Sequence, residues 1–531
     1  MRRSVSKLQR YAVTLGVFAI ASGGAHAGVG DQIAKLLPDD GAANKFFGIS
    51  VATSGDLVLV GSPRDNDNGV LSGSATLFDA TTGAQVLQVV PSDGGVAQQF
   101  GISVGMSGSI AVVGAIFDND NGGDSGSAYL FNTNTGLQIA KLLPSDGAAS
   151  DNFGNSVAIS GTTVIVGAPR SDSDGSDSGS AYLFDAVTGL QTAKLTASDA
   201  AAGDFFGFSV GIHGNTVIVS AEGTDVNGAN SGSAYLFDAS TGAELMKLLP
   251  SDGAATDFFG TAVAVNQTMA IVGARGDADS GGFLAGSAYL FDLGTGAQVA
   301  KLLATTGAIG DQFGVSVAIN GTTALVGAEF AVGNVANSGS AYTFDPMSGV
   351  QLAQITVSDG ASNDRFGHTV ALDGPRIVIG SYLDTENGSN SGSAYVIEGQ
   401  SLLGDASSLS LGTGGALEMN FEAGTSRAGW FYSMFGSVTG TTPGIDFGSG
   451  VVLPLNFDAY FNLTLLKPGL GAFGNFVGML DGDGQSTSTL TIPILTDPSL
   501  VGVVMSHAYV AGSVIGVAEF ASNAFEVMLV P

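Results

Sequence analysis

Residues 153–195 read FGNSVAISGTTVIVGAPRSDSDGSDSGSAYLFDAVTGLQTAKL. Four short apolar or β-branched runs lie in it: Phe153 to Ile159, Thr163 to Gly167, Gly179 to Phe184 and Leu190 to Leu195. Ser160-Gly161 separates the first pair, Thr188-Gly189 the last pair, and the acidic stretch Ser171 to Asp177 the middle two. Runs of this length between Gly, Asn, Asp and Ser are what antiparallel strands and their turns require. The same text recurs along the chain. Phe-Gly stands at Phe47, Phe100, Phe153, Phe206, Phe259, Phe313 and Phe366, in steps of 53, 53, 53, 53, 54 and 53 residues. A second phrase, Ser-Gly-Ser-Ala-Tyr-Leu-Phe or a close variant, begins at Ser72, Ser125, Ser178, Ser231, Ala285, Ser338 and Ser391. Four strands in a repeat of about 50 residues predict one blade of a β-propeller, and seven copies predict seven blades.

The last copy stops after its third strand, Ser393 to Ile397, and the missing fourth is found at the other end of the chain. Gln32-Ile33-Ala34-Lys35-Leu36-Leu37 repeats Gln138 to Leu143 letter for letter. An N-terminal strand is therefore expected to complete the seventh blade and leave the ring without an open edge. The organisation that follows is a leader at residues 1–27, a propeller at 28–400 and a separate module at 401–531. In that module the period vanishes. Leu417 to Phe421, Ser488 to Ile494 and Val503 to Ala511 read as antiparallel strands, and a small β-sandwich is expected. The fold class is all-β throughout.

Composition narrows the function. The chain has 47 acidic residues against 17 basic ones, the reverse of what phosphate neutralisation needs, so nucleic acid is not an expected partner. Arg2, Arg3, Lys7 and Arg10 precede the apolar run Tyr11 to Ala21, and Ala25-His26-Ala27 has the small-x-small form of a cleavage site. That run falls short of the roughly 20 residues a membrane-spanning helix needs, so export is expected and a transmembrane anchor is not. The destination is the medium, the periplasm or the cell surface. The chain has no cysteine, so its stability comes from packing, ring closure or bound ions.

The Phe-Gly phrase, together with Gly167-Ala168-Pro169 and its variants Gly61-Ser62-Pro63 and Gly114-Ala115-Ile116, resembles the FG-GAP repeat family over about residues 31 to 400. Such repeats build the seven-bladed propeller of integrin alpha chains and of many bacterial secreted proteins. The resemblance implies an extracellular adhesion or recognition scaffold, often calcium-stabilised.

Within an antiparallel blade the 1–2 and 3–4 turns leave on one face, the 2–3 loops and blade-to-blade linkers on the other. Here the first set is short, while the second carries most of the acid, including Asp65-Asn66-Asp67-Asn68-Gly69 and Asp118-Asn119-Asp120-Asn121-Gly122. Alternating Asp and Asn with a Gly is oxygen-ligand chemistry suited to Ca²⁺. The candidate ligands are Asp65 and Asp67; Asp118, Asp120 and Asp124; Asp172, Asp174 and Asp177; Asp225 and Asn227; Asp277 and Asp279; and Asp384 and Glu386. The sixth copy, Glu329 to Gly333, has lost the pattern. The integrin-type calcium loop lies between strands 1 and 2, a connection reduced here to Ser-Gly or Asn-Gly, so its ligands do not transfer. Two readings stay open: calcium loops of independent design, or solvated turns made of turn-forming residues.

Other signals carry less. Gly101 to Gly105 and Gly207 to Gly211 match G-x-S-x-G but lie inside expected strands and not at a strand-to-helix elbow. Arg275-Gly276-Asp277 spells a recognition tripeptide in a slot filled elsewhere by unrelated residues. His213, His368 and His507 fall in different phases of the repeat, which argues against zinc or a catalytic triad. The expected function is a non-enzymatic, monomeric recognition or adhesion scaffold that binds an extracellular protein or glycan through the acidic-loop face. The alternative is a metal-assisted hydrolase of polysaccharide or phosphodiester using the same carboxylates.

Overall fold

The computed structural model describes residues 32–278 and 282–398, together with the backbone of a set of strands between residues 401 and 530. The expected leader and Asp279 lie outside the described residues. The chain divides into a propeller unit, Val29–Gly399, and a second unit that holds the C-terminal strands.

The propeller has seven four-stranded antiparallel sheets. In the third blade the strands are Val157–Ser160, Thr163–Ala168, Ser180–Asp185 and Gln191–Leu195, in that order across the sheet. Six blades repeat this plan. The seventh combines Thr369–Asp373, Arg376–Ser381 and Ser393–Glu398 with Gln32–Leu36, which lies antiparallel to the third strand with Lys35 opposite Tyr395. Burial explains the composition of each strand. Second and third strands are covered on both faces by neighbouring sheets, so Thr163–Ala168 is buried from Val164 onward and reads as a continuous apolar run. The fourth strand is an outer edge, and Gln191–Leu195 keeps polar Gln, Thr and Lys around a buried Leu195.

The two recurring phrases exist because they touch. Phe100, which opens the second copy, forms a parallel bridge with Gly73 of the first, and the same bridge joins Phe47 to Gly392 across the ends of the propeller. The contact is too close for side chains. A Cβ on Gly73 would lie 2.0 Å from the Phe100 carbonyl oxygen, and one on Gly61 would lie 2.0 Å from that of Gly101. The Phe-Gly of each copy thus packs on the Gly-Ala-Pro and Ser-Gly-Ser segments of the blade before it. The ring of Phe100 stands edge-on to Tyr129 at 5.5 Å and Phe131 at 5.7 Å, an arrangement repeated in the next four blades. The length of the first strand varies among the blades: Phe100–Ser107 begins at the Phe itself. In the third copy Phe153 bridges Gly126 of the preceding blade, and strand pairing with the second strand begins only at Val157.

Hydrogen bonds between blades mark both ends of the sheets. The Gln138 side chain accepts the backbone N–H of Ser92 in the linker before its own blade (2.9 Å), and Ser54 Oγ accepts the N–H of Gly108 in the next blade (3.0 Å).

In the second unit one sheet orders Ser401–Gly404, Gly415–Glu422, Gln485–Ile492 and Phe473–Gly474. Another runs Ser408–Ser410, Phe525–Val530, Val504–Gly512, Phe431–Ser437 and Val477–Met479, with Phe520–Ala521 beside Val504–Gly512. Ser408–Ser410 and Phe525–Val530 pair in parallel. Among the described residues no helix is long and apolar enough to cross a membrane.

Candidate functional site

Each 2–3 loop starts at a position that the end of the second strand holds under the surface. Aspartate occupies it in blades one, two, five and seven: Asp65, Asp118, Asp277 and Asp384, all no more than 4% exposed. Its two oxygens do different work. Oδ1 accepts the backbone N–H two residues on, from Asp67 at 3.3 Å, Asp120 at 3.1 Å and Glu386 at 2.8 Å, which turns the chain. Oδ2 faces the blade and accepts from the third strand: Ser74 at 2.6 Å on Asp65, Tyr129 at 2.8 Å on Asp118, Ser287 and Tyr289 on Asp277, Ser393 at 2.8 Å on Asp384.

In blades two, five and seven a lysine from the fourth strand completes the cluster, while in blade one Gln88 stands there and donates to Asp65 at 3.1 Å. Lys141 Nζ lies 3.0 Å from Asp118, 2.6 Å from Asp120 and 2.7 Å from Asp93 of the preceding linker. In the seventh blade Lys35 repeats this with Asp384 at 2.8 Å, Glu386 at 2.5 Å and Asp359 at 2.7 Å. Lys301 meets Asp277 at 2.8 Å and Asp252 at 2.7 Å. The ammonium groups also stand over tyrosine rings, 5.2 Å from Tyr129 and 5.2 Å from Tyr395. Burial alone would lower the pKa of Lys35 and Lys141, but the surrounding carboxylates outweigh it and hold both ammonium groups protonated far above the usual lysine range. Burial likewise pushes the Asp384 carboxyl up, and its bonds from Lys35, the Glu386 N–H and Ser393 bring it below the ordinary value.

The remaining sequence candidates are dispersed. Asp172 Oδ1 accepts the N–H of Asp177 at 2.9 Å, and Asp225 Oδ1 that of Asn230 at 2.8 Å, so both staple their loops from an exposed position. Asp124 and Asp177 occupy a left-handed position shared by all seven loops (φ 55° and 54°), equivalent to Leu71 at 55°. Asp174 and Asn227 donate their backbone N–H to Ser178 and Ser231. Among the described residues one carboxylate trio could share an ion: Asp40, Asp65 and Asp67, with oxygens within 4.8 Å of one another. Lys45 Nζ already lies in it, 2.5 Å from Asp40 and 3.2 Å from Asp65.

The set-aside motifs have structural roles. Ser103 Oγ donates to the Gly154 carbonyl at 2.7 Å, and Ser209 Oγ accepts the Val263 N–H at 3.1 Å, both from within first strands. Asp277 is 3% exposed and Arg275 lies 3.5 Å from Glu222, so the Arg-Gly-Asp tripeptide is not displayed. His368 Nδ1 is 2.9 Å from Glu329 between two blades, and His213 ends the first strand of the fourth blade, opposite Thr216.

A family model described as FG-GAP repeat matches the chain seven times, at residues 31–78, 84–131, 137–184, 190–237, 243–291, 297–344 and 350–397, more than half of its length. The chain belongs to the FG-GAP repeat family. No curated protein matches it. Each FG-GAP repeat is out of phase with the blades: the match at 84–131 begins beside the fourth strand Gln85–Val89 and ends in the third strand Ser127–Asn132 of the next blade. The repeat unit therefore spans the blade junction, where Phe-Gly meets the previous Ser-Gly-Ser. Sequence reasoning placed the acid of the FG-GAP loops and linkers on one face, the sixth loop excepted, but missed the fourth-strand lysines that meet it. The signal was present, since Lys35, Lys141, Lys194, Lys247 and Lys301 recur in step with the acidic loops.

Proposed function

We propose that this FG-GAP protein is an exported, non-enzymatic recognition and adhesion scaffold that engages a protein or glycan through the acidic-loop face of its propeller. The observation that carries this reading is the unequal exposure of the two charges on that face. Asp93, Asp120, Asp146, Asp199, Asp359 and Glu386 have side chains 43–51% exposed, while the lysines beside them are 14–27% exposed. A partner approaching the face meets carboxylate first, so the reading favours a partner rich in Lys, Arg or amino groups. Calcium, bridging to an acidic partner, is the other form of the same reading. The fourth-strand lysines bonded to the loop and linker carboxylates favour the first form.

A hydrolase built on these carboxylates has less support. The buried ones already accept bonds from serine, tyrosine and lysine, which leaves little freedom for a general acid or a metal ligand. We read the pairing of Gln32–Leu36 with the seventh blade as the tie that closes the ring, and the two C-terminal sheets as the halves of a β-sandwich.

Immobilised full-length chain, challenged with basic proteins, cationic glycans and acidic glycans in CaCl₂ or EDTA beside a panel of hydrolase substrates, tests the proposal. Metal-independent binding of the cationic probes that weakens with added salt is the expected result. Turnover of a substrate with no binding would overturn it. Calcium-dependent capture of acidic glycans alone would replace the partner class.

A further inference from the structure

Seven near copies of one repeat act as controls for one another, so a copy that departs needs a reason other than the fold. One such place is the pair of residues where each 2–3 loop meets the linker that follows it. In four blades the pair is small: Gly123 with Ala149, Ser176 with Ala202, Ala229 with Ala255, and Ser389 with Ala43. One backbone bond joins each pair. It runs from Ser150 N–H to the Gly123 carbonyl at 2.8 Å, and from Gly203 N–H to that of Ser176 at 2.9 Å. Between the fifth and sixth blades the same bond runs from Gly310 to Phe283 at 3.1 Å, but the pair is Phe283 with Ile309. Phe283 is 67% exposed and Ile309 72%. Small residues serve the same backbone elsewhere, so neither side chain is there to hold the fold.

The sixth blade, beside this pair, is also where the acidic face loses its charge. Thr306, Ala331 and Gln354 stand where the second blade has Asp93, Asp118 and Lys141. No carboxylate occurs from Leu303 to Gly310 or from Phe330 to Ser340. Asp311 and Glu329, which border these stretches, are buried, the first accepting the Ala308 N–H at 2.9 Å and the second beside His368. Val332 and Val335 are exposed instead. The linker spans the two blades, since Thr306 Oγ1 also lies 3.2 Å from the Tyr342 hydroxyl. Charge resumes one junction away on either side, at the exposed Asp252 and Asp359. The second of these follows Ser358, whose carbonyl accepts the Asn334 amide of the sixth loop at 2.9 Å.

We infer that this uncharged sector, with Phe283, Ile309, Val332 and Val335 between Asp252 and Asp359, docks a segment of a partner protein that carries an aliphatic or aromatic anchor between basic residues. The inference rests on the acidic-face reading above and narrows it to a protein partner. Apolar side chains gathered on a surface and rimmed by charge gain free energy when a partner covers them, and the centre of such a patch carries most of the binding. The sign of the rim sets the sign of the flanks. The sixth loop is held in place before anything binds, by Gly339 N–H on the Ala331 carbonyl at 3.0 Å and Asn363 N–H on that of Asn337 at 3.0 Å. A second copy of the chain, at formal charge −30, has the wrong sign for this rim. A glycan could stack on Phe283 but gives Ile309, Val332 and Val335 little to bury.

Panning a phage-displayed random peptide library on the immobilised full chain, then measuring the enriched peptides by fluorescence anisotropy, tests this. Sequences with Phe, Leu or Ile between Lys or Arg residues are the expected yield. Phe283→Ser with Ile309→Ala, which installs the pair of the third blade, should weaken their binding at least about tenfold. Its Tm should stay within about 2 °C of wild type. If that double variant does not fold, Ile309→Ala alone is expected to weaken binding about threefold. Val70→Gly with Val96→Ala puts the second-blade pair into the first junction, where acid surrounds it, and should bind as wild type does. Basic peptides without an apolar anchor, bound equally by wild type and the Phe283→Ser, Ile309→Ala variant, would overturn the inference and leave the acidic-face reading standing. So would a loss in the Val70→Gly, Val96→Ala variant as large as in the other. Enrichment of acidic peptides, or of none, would overturn both.

Discussion

At the scale of single residues, the repeat is governed by places where one atom too many has nowhere to go. Gly101 has φ +93°, and a Cβ there would lie 2.2 Å from the Ser74 carbonyl oxygen. Gly108 also has positive φ, +55°, yet a Cβ there meets nothing within 4 Å. The pair separates steric from conformational cost. Gly101→Ala is expected to lose about 3 kcal/mol or more, and Gly108→Ala about 1 kcal/mol, measured by urea unfolding. Equal losses would mean that the blade junction yields to a methyl group. The same accounting explains why Asp124 and Asp177 are in the loops: each fills a left-handed position where Asp and Asn are better tolerated than the Leu71 found in the first blade.

At the scale of elements, the fourth strand does more than finish a sheet. In Gln32–Leu36, Leu36 is buried, Lys35 joins three carboxylates and the backbone pairs with Ser393–Glu398. Deleting Gly28 to Leu37 removes these together and leaves the third strand as an open edge beside the uncompensated Asp384. A fall in Tm of more than about 5 °C is expected. A truncated protein that melts unchanged would show that the Phe47 to Gly392 junction holds the ring by itself.

At the scale of the whole molecule, two sets of carboxylates oppose each other as pH changes. Burial pushes Asp151, Asp204, Asp311 and Asp364 up, beyond what the backbone N–H bonded to each can offset. A group with a raised folded pKa favours the fold when protonated, so this contribution is lost as pH rises through the raised values. Asp93, Asp146, Asp199 and Asp252 are also pushed up by burial, but bonds from Lys141, Lys194, Lys247 and Lys301 bring them below the ordinary range. Their contribution is present above the unfolded value of about 3.9 and is lost as pH falls through their lowered values. Relief of repulsion in a chain of formal charge −30 works with the first set. Tm is therefore expected to rise as pH is lowered from about 7 towards 5 and to fall again below about 4. A Tm that only declines from neutrality downward would mean that the lysine-bonded set dominates throughout.

The propeller was legible in the chain itself, because period, turn residues and β-branched runs are local and occur seven times in phase. The copy of a fourth strand ahead of the first Phe-Gly could be read the same way, as could the acid on one set of loops. The meeting of Asp93, Asp118, Asp120 and Lys141 was not legible as a contact. These residues lie up to 48 positions apart, and only the antiparallel order of a blade, together with the linker folding back on it, brings them to one point. Sequence by itself determined where carboxylates would gather. Tertiary structure decided what faces them, because the partner of a buried charge is chosen by which strand lies beside it in space.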